Sequence, residues 1–314
     1  MKQKLKINFT DFWPSFNKTD NFFWKLLSKQ YDCEISEQPD ILFYSYFGRE
    51  FTKYKCFRVL FQGENARPDF TECDFAFSFD HIDDPRNYRL PLYVMYADVN
   101  RLTLPKDPES IARSKTRFCA FVVSNKYSIE RISFFKKLSK YKKVDSGGMY
   151  LNNVGGPVKN KVEFIRDHKF TIAFENSSFP GYTTEKIFEP MLVNSIPLYW
   201  GNPLVNRDFN TKSFLNYHDY PNIDAFIEKI IEIDTNRHMY LDMLAQPYFV
   251  NNEINEFVKE ENILARLNTI IESIKHNKPV ASLYKPNSEL RKYIQTKVSY
   301  GKMKLKYFLN WSSL

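Results

Sequence analysis

Glycine is scarce in this chain, with nine in 314 residues, and neither G-x-G-x-x-G after a strand nor G-x-x-x-x-G-K-[ST] occurs. A glycine-rich loop that cradles phosphate with its backbone is therefore excluded. Any phosphate bound here has to be held by side chains and helix ends. The four cysteines, Cys33, Cys56, Cys73 and Cys119, lie far apart without a C-x-x-C pair, and the five histidines form no H-E-x-x-H or similar cluster. Neither a zinc site nor a disulfide framework is supported. The opening MKQKLKINF runs into a strand pattern without the apolar core of a signal peptide, and no later apolar run is long enough to span a bilayer. Those two absences lead to the expectation of a cytoplasmic chain. Aromatic residues, by contrast, are plentiful: 29 Phe and 20 Tyr within a 43% hydrophobic content exclude disorder for most of the length. The chain is long enough for two lobes, each with its own core.

The formal net charge of +8 leaves nucleic acid, an anionic membrane or an anionic small molecule as partners. Its distribution discriminates among them. From Lys285 onward seven basic residues stand against Glu289 alone, which places six of the eight net charges in the tail. Interleaved with Tyr293, Ile294, Val298, Tyr300, Leu305, Phe308 and Trp311, this segment reads as basic and amphipathic. It suits peripheral contact with an anionic membrane, or equally a basic helix docked on the body of the protein. No nucleic-acid motif accompanies the charge, so nucleic acid is not expected as a partner.

Strand and helix patterns alternate twice. In the first set Leu5 to Phe9, Ile41 to Tyr46, Phe57 to Gln62, Asp74 to Phe79 and Leu90 to Met95 read as strands, with a helix around Phe22 to Gln30. Residues 98–116 read as a connection. The second set has strands at Phe118 to Val123, Phe170 to Phe174 and Ile196 to Tyr199, and helices at Ile129 to Leu138 and Thr184 to Val193, the latter kinked or shortened by Pro190. Asp145 to Val158 reads as a polar loop, and Asp224 to Ile233, Tyr240 to Leu244 and Glu253 to Ile274 as helices. Such alternation predicts parallel sheets wrapped by helices, with a ligand between two α/β lobes at the C-terminal ends of the strands.

The most informative stretch is Phe170 to Gly201, FTIAFENSSFPGYTTEKIFEPMLVNSIPLYWG, a βαβ unit with polar residues crowded at one end. Glu185 and Lys186 fall in the first helical turn, where backbone N–H groups are unpaired and the helix dipole is positive. A lysine there is unfavourable unless an anion is near, so Lys186 points to a bound phosphate; a solvated surface lysine is the competing reading. Glu64, in the Gly63-Glu64-Asn65 turn after a strand, is positioned for a general base, though acids and glycines are ordinary turn residues as well. Ser124 and Asn125 end the strand Phe118 to Val123, and Arg131 follows in the next helix, where an arginine can bind a diphosphate bidentately or merely lie along the surface.

The segments Phe61 to Asn65, Cys73 to Asp80, Arg89-Leu-Pro91, Phe121 to Asn125, Phe174-Glu-Asn176, Gly181 to Lys186, Ile196 to Gly201 and Asp208 through Phe214 occur in this order. Together they resemble the α-1,3/4-fucosyltransferases, glycosyltransferase family ten, and most strongly the bacterial, Helicobacter-type members. The resemblance runs over residues 5–275.

That resemblance implies the GT-B fold: two Rossmann-like, doubly wound α/β lobes facing across a cleft. Residues 1–112 would form an acceptor-binding lobe, residues 113–275 a lobe for GDP-fucose, and residues 276–314 a C-terminal helix and tail. Glu64 corresponds to the family's catalytic base, and Arg131 and Lys186 to its diphosphate ligands. Glu185 corresponds to a contact with ribose or fucose hydroxyls, and Asn176 and Tyr182 to further donor-site residues. Glu175 either contacts the donor or orients Asn176, while Ser124 and Asn125 are candidates by position. The implied reaction is inverting α-1,3 (or α-1,3/4) transfer of fucose from GDP-fucose to the GlcNAc of a lactosamine-type glycan, in lipopolysaccharide O-chain synthesis, the alternatives being another inverting nucleotide-sugar glycosyltransferase or a non-catalytic glycan-binding module. No Asp-x-Asp pair stands at a strand end, so no cofactor is expected to be required, with stimulation by a divalent ion left open. Leucine-rich heptads, frequent in bacterial members, are not visible in residues 277–302. The loops Asp11 to Phe23 and Tyr44 to Tyr54 are expected to set acceptor choice.

Overall fold

The structure, a computed structural model, describes residues 2–280. The basic segment expected from Lys285 onward lies outside the described residues. In the first half, β1 (Gln3–Thr10), α1 (Phe22–Leu27), β2 (Tyr31–Ile35), β3 (Ile41–Tyr44), β4 (Phe57–Gln62), β5 (Phe75–Ser78) and β6 (Asn87–Arg89) build one sheet in the order β2-β1-β3-β4-β5-β6. Every pairing in it is parallel, with Ile7 opposite both Ile35 and Ile41. Burial on both faces explains why β3 reads as a continuous apolar run rather than an alternating one, and why every residue of β4, Arg58 and Gln62 included, is buried.

The second half contributes α2 (Pro108–Ser114), β7 (Arg117–Phe121), α3 (Ile129–Tyr141), β8 (Val144–Ser146), α4 (Lys161–Ile165), β9 (His168–Phe174), α5 (Glu185–Leu192), β10 (Ile196–Trp200) and β11 (Leu215–Asn216). Three helices follow, α6 (Ile223–Thr235), α7 (Arg237–Ala245) and α8 (Glu260–Ile274). The second sheet is also all parallel, in the order β11-β10-β9-β7-β8. Both sheets thus start in the middle, add one strand outward and then reverse, which creates a switch point between β1 and β3 and another between β7 and β9. Ligands of such sheets bind outside the strand C-termini at the switch point. This is the two-lobed, doubly wound arrangement that the GT-B expectation describes.

Phe134, Leu138, Phe226, Ile230 and Tyr240 from α3, α6 and α7 cover one face of the second sheet. The other face does not close on itself. Ile187, Phe188 and Met191 of α5 join a core that continues through Tyr93 to Phe23, Phe43 and Phe61 of the first lobe. Ile263, Leu267, Ile270 and Ile271 of α8 belong to that same core. Tyr31 donates to Asn268 at 3.0 Å and Tyr88 to the Phe257 carbonyl at 3.1 Å, so α8, carried by the second half of the chain, docks on the first lobe.

Several elements depart from the sequence reading. Leu90 to Met95 is not a strand: β6 ends at Arg89, and Leu92–Met95 is a 3-10 helix. Pro91 between them has no N–H for the ladder. The helix expected from Glu253 starts only at Glu260, behind a 3-10 turn at Glu256–Val258, whose Phe257 carbonyl is taken by Tyr88. Residues 98–116 are more than a connection, because α2 packs on α7. The start of the Asp145 to Val158 loop belongs to β8. Pro190 occupies the last turn of α5, which ends at Leu192 with Asn194 in the left-handed region, φ 54°.

Candidate active site

The Gln62-Gly63-Glu64 turn leaves the end of β4 and faces the other lobe, with the Gln62 side-chain amide donating to the Glu64 carbonyl at 2.9 Å. Opposite lies the segment from β9 to α5. It is fixed by a buried network in which Arg89 pairs with Asp208 at 2.8 Å and Thr183 donates to Asp208 at 2.6 Å. Gly181 adopts φ 86°, and a Cβ there would collide with the Phe79 carbonyl, so the turn needs glycine. Its amide donates to Asn202 Oδ1 at 2.7 Å. The turn delivers Tyr182 into the interface, where its ring meets Phe79 edge-on at 5.0 Å and its hydroxyl donates to Glu64 Oε2 at 3.2 Å.

Behind Tyr182 sits Glu175, fully buried. Its carboxylate accepts from the Thr184 amide at 2.8 Å and the Thr184 hydroxyl at 2.7 Å, and it pairs with Lys186 Nζ at 3.2 Å. Lys186 also reaches Glu185 at 3.4 Å and Thr184 Oγ1 at 3.1 Å. Two carboxylates thus offset the lysine at the positive end of α5, and its presence there needs no external anion. Glu175 orients Thr184 and Lys186; Asn176 is held instead by Arg131, which corrects the expectation that Glu175 orients it.

Arg131 is 1% exposed and spans the switch point of the second sheet. Its guanidinium donates to the Asn125 carbonyl beyond β7 at 2.9 Å, to the Phe174 carbonyl at the end of β9 at 3.3 Å, and to Asn176 Oδ1 at 3.1 Å. Nε has no partner, and neither does the buried Ser128 hydroxyl at the N-cap of α3. The first turn of α3 therefore keeps its backbone donors uncapped by a side chain beside an arginine, which is a ready anion site. Ser124 and Asn125 lie exposed at the same mouth, Asn125 contributing its carbonyl to Arg131 and its side chain to the Tyr127 amide at 2.8 Å.

Burial raises the Glu64 carboxyl above the ordinary glutamate range, although Lys186 and Tyr182 oppose it. Glu175 is likewise pushed up by complete burial. Burial works against charge on Lys186 too, but Glu175 and Glu185 outweigh it, so the ammonium is held more firmly than usual. For Glu185 the balance reverses: burial raises it, and Lys186 and Lys161 more than compensate, leaving it lowered. Three carboxylates, Glu64, Glu175 and Glu185, thus form one electrostatic group with Lys186 and Arg131.

The anticipated residues fall into separate contact groups. Glu64 and Tyr182 meet directly, Arg131 and Asn176 form the switch-point bridge, and Glu175, Glu185 and Lys186 make an internally paired triad. Sequence reasoning missed Ser128, whose signal was a serine just before a helix with an arginine in its first turn. It also missed Tyr96, whose hydroxyl is pushed up by burial and then by Glu185 and Glu189, and which feels Lys186 and Glu64 as well. Among the described residues no group of three or more His, Cys, Asp or Glu could hold a metal ion, and no helix is long and apolar enough to cross a membrane.

Comparison with known proteins gives a consistent result. Residues 7–96 match the model of the alpha-(1,3)-fucosyltransferase FucT N-terminal domain, and residues 112–286 that of the glycosyltransferase family 10 (fucosyltransferase) C-terminal region. An alpha-(1,3)-fucosyltransferase of Helicobacter pylori is 33% identical over 331 residues, which cover 88% of this chain and 68% of that protein. Alpha-(1,3)-fucosyltransferase B of Drosophila melanogaster is 28% identical over 179 residues, 49% of this chain and 40% of its own. The crystal structure of an alpha1,3-fucosyltransferase with GDP-fucose superposes with a TM-score of 0.74 at 29% identity, covering 87% of this chain and 91% of that one.

Proposed function

The chain belongs to glycosyltransferase family 10, the fucosyltransferases, and on that premise we propose that it moves L-fucose from GDP-fucose to the 3-hydroxyl of GlcNAc in N-acetyllactosamine-type glycans, with inversion at C1. The observation that carries this reading is the hydrogen bond from Tyr182 to Glu64, which sets a carboxylate of the first lobe beside the cations of the second.

In this mechanism Glu64 accepts the proton of the acceptor hydroxyl as that oxygen bonds to C1 of fucose. The bond from C1 to the diphosphate oxygen breaks on the opposite face, and its electron pair leaves with GDP. A base whose carboxyl is raised by burial is a stronger proton acceptor than an exposed glutamate, which matches that task. Positive charge develops on the sugar in an oxocarbenium-like transition state while negative charge gathers on the diphosphate. Arg131 and the uncapped first turn of α3 are aligned to receive that charge, with Lys186 completing the group by exchanging one of its carboxylate partners for phosphate. Asn176, held by Arg131, and Glu185 then face the ribose or fucose hydroxyls, and the first lobe supplies the acceptor site.

Type 1 acceptors and α-1,4 linkage are the nearest variants of the same reading. Lipopolysaccharide O-chains as natural acceptors, a cytoplasmic location and contact of the basic tail with anionic membrane complete the proposal, the last supported by composition alone. Incubation with GDP-fucose and a panel of type 1, type 2, fucosylated and sialylated lactosamines, with linkage and anomeric configuration read by NMR, tests it. An α-1,3-fucosylated type 2 product is expected; release of GDP without any fucosylated glycan overturns it.

A further inference from the structure

The five-residue helix α4 is pinned to α5 at both ends. At its start the Asn160 side chain accepts from the Glu163 amide at 3.0 Å, which fixes Lys161 as the first helical residue. At its end the buried Lys115 donates to the Arg166 carbonyl and, at 2.6 Å, to the Val193 carbonyl, tying the C-caps of α4 and α5 together. Ile165 packs with Val193 and Ala120 in a small buried cluster. Lys161 is thereby carried to Glu189 of α5, and the two form an ion pair in which Glu189 Oε2 has no other donor.

Glu185 and Glu189 stand one helical turn apart on the same face of α5, a placement in which like charges repel. Lys161 answers both. It pairs with Glu189 and, together with Lys186, keeps Glu185 ionised against the cost of burial. Glu175, Lys186, Glu185, Lys161 and Glu189 thus form a row in which each neighbour has the opposite sign. We propose that Lys161 is a positioning residue for the nucleotide donor: it compensates Glu185 when Lys186 turns to the diphosphate, acting through that carboxylate and not by contact with the donor. The inference deepens the reading above and rests on it for the presence of a diphosphate at Lys186. Of the two carboxylates on Lys186, Glu175 keeps both Thr184 donors when the ammonium leaves. Glu185 has no comparable donor and keeps only Lys161. Without Lys161 the row sets three carboxylates against one ammonium, which holds Lys186 back and adds a negative charge beside the phosphates. At the effective dielectric of a partly buried site, one such charge weakens an anionic ligand on the order of tenfold.

The test is calorimetric binding of GDP to the full chain, with melting temperatures measured in parallel. Lys161→Met keeps the apolar stem and removes the charge, and GDP affinity is expected to fall about tenfold. Lys161→Arg retains the charge and is expected to bind close to the parent. Lys161→Met combined with Glu189→Gln removes one charge of each sign, so it is expected to recover most of the affinity although the ion pair between α4 and α5 stays broken. A purely structural pin would not be rescued in that way. Glu189→Gln alone leaves Lys161 undivided for Glu185 and is expected to bind GDP more tightly than the parent; this variant keeps the lysine and decides the matter even where Lys161→Met does not fold. Parent-like affinity in Lys161→Met overturns the proposal, as does an equal loss in the single and double variants, or equal or weaker binding in Glu189→Gln. A parent that binds no GDP overturns the donor reading and this one together, whereas a parent that binds GDP beside an indifferent Lys161→Met overturns this one alone.

Discussion

Tyr182, on the turn before α5, donates its hydroxyl to Glu64 Oε2 at 3.2 Å, and the two residues belong to different lobes. Burial raises the Glu64 carboxyl, and this bond is among the contacts that pull it back. Tyr182→Phe removes the bond and leaves the burial. A base must be ionised to act, so the acidic limb of the kcat/KM profile is expected to move to higher pH in the variant, with rates converging at alkaline pH. An unmoved limb would show that Tyr182 does not tune Glu64.

Glu64→Gln keeps the shape of the turn and removes the base. Transfer is expected to fall by about 10²–10⁴-fold, while GDP affinity by calorimetry stays close to that of the parent. Loss of GDP binding would contradict the assignment, since a proton acceptor for the sugar hydroxyl has no contact with the nucleotide.

Lys186→Ala strands Glu175, which is fully buried, without its cation and leaves Glu185 with Lys161 alone. Breaking a buried pair in this way costs about 3–5 kcal/mol, and loss of a charge-assisted bond to the diphosphate adds about 1.5–3 kcal/mol in GDP affinity. Adding Glu175→Gln should recover part of the stability in urea unfolding but none of the affinity. Equal stability of the single variant and the parent would mean that the triad contributes little to folding.

Arg131→Lys retains the charge but cannot bridge the Asn125 carbonyl, the Phe174 carbonyl and Asn176 at once. Weaker GDP binding together with a lower melting temperature is expected. A variant that binds GDP normally would remove Arg131 from the donor site.

Burial would raise the Asp234 carboxyl, but hydrogen bonds from Lys169 and Lys142 outweigh it and hold the folded-state pKa below the ordinary aspartate value. Its stabilising contribution is therefore complete above the unfolded pKa and is lost as pH falls through the lower folded value. Asp234→Asn should flatten the acid end of the stability curve, measured by urea unfolding from neutral pH downward. A curve parallel to that of the parent would assign the acid sensitivity to other groups.

Much of this organisation was legible before any coordinates. β3 is a continuous apolar run, and β4 and β9 are apolar over most of their length, because a parallel sheet covered on both faces demands it; α5 starts one residue after the expected Thr184, which serves as its N-cap. β2, with alternating partial exposure, and the two- and three-residue strands β11 and β8 left too few residues for a pattern to register. The phosphate argument from Lys186 failed at its physical premise: Glu175 is close to it only because β9 and α5 fold against each other, and that pairing already balances the charge.

The order of apolar runs and turns along the chain determined by itself two parallel α/β units and the strand ends from which Glu64, Asn125 and Asn176 project, because hydrophobic periodicity and turn chemistry are local in sequence. Tertiary structure alone decided that α8 returns to the first lobe, that Arg131 spans the switch point and that Tyr182 meets Glu64. Those contacts join residues far apart in sequence, and their free energy depends on burial and distances that exist only once both lobes have packed on a common core.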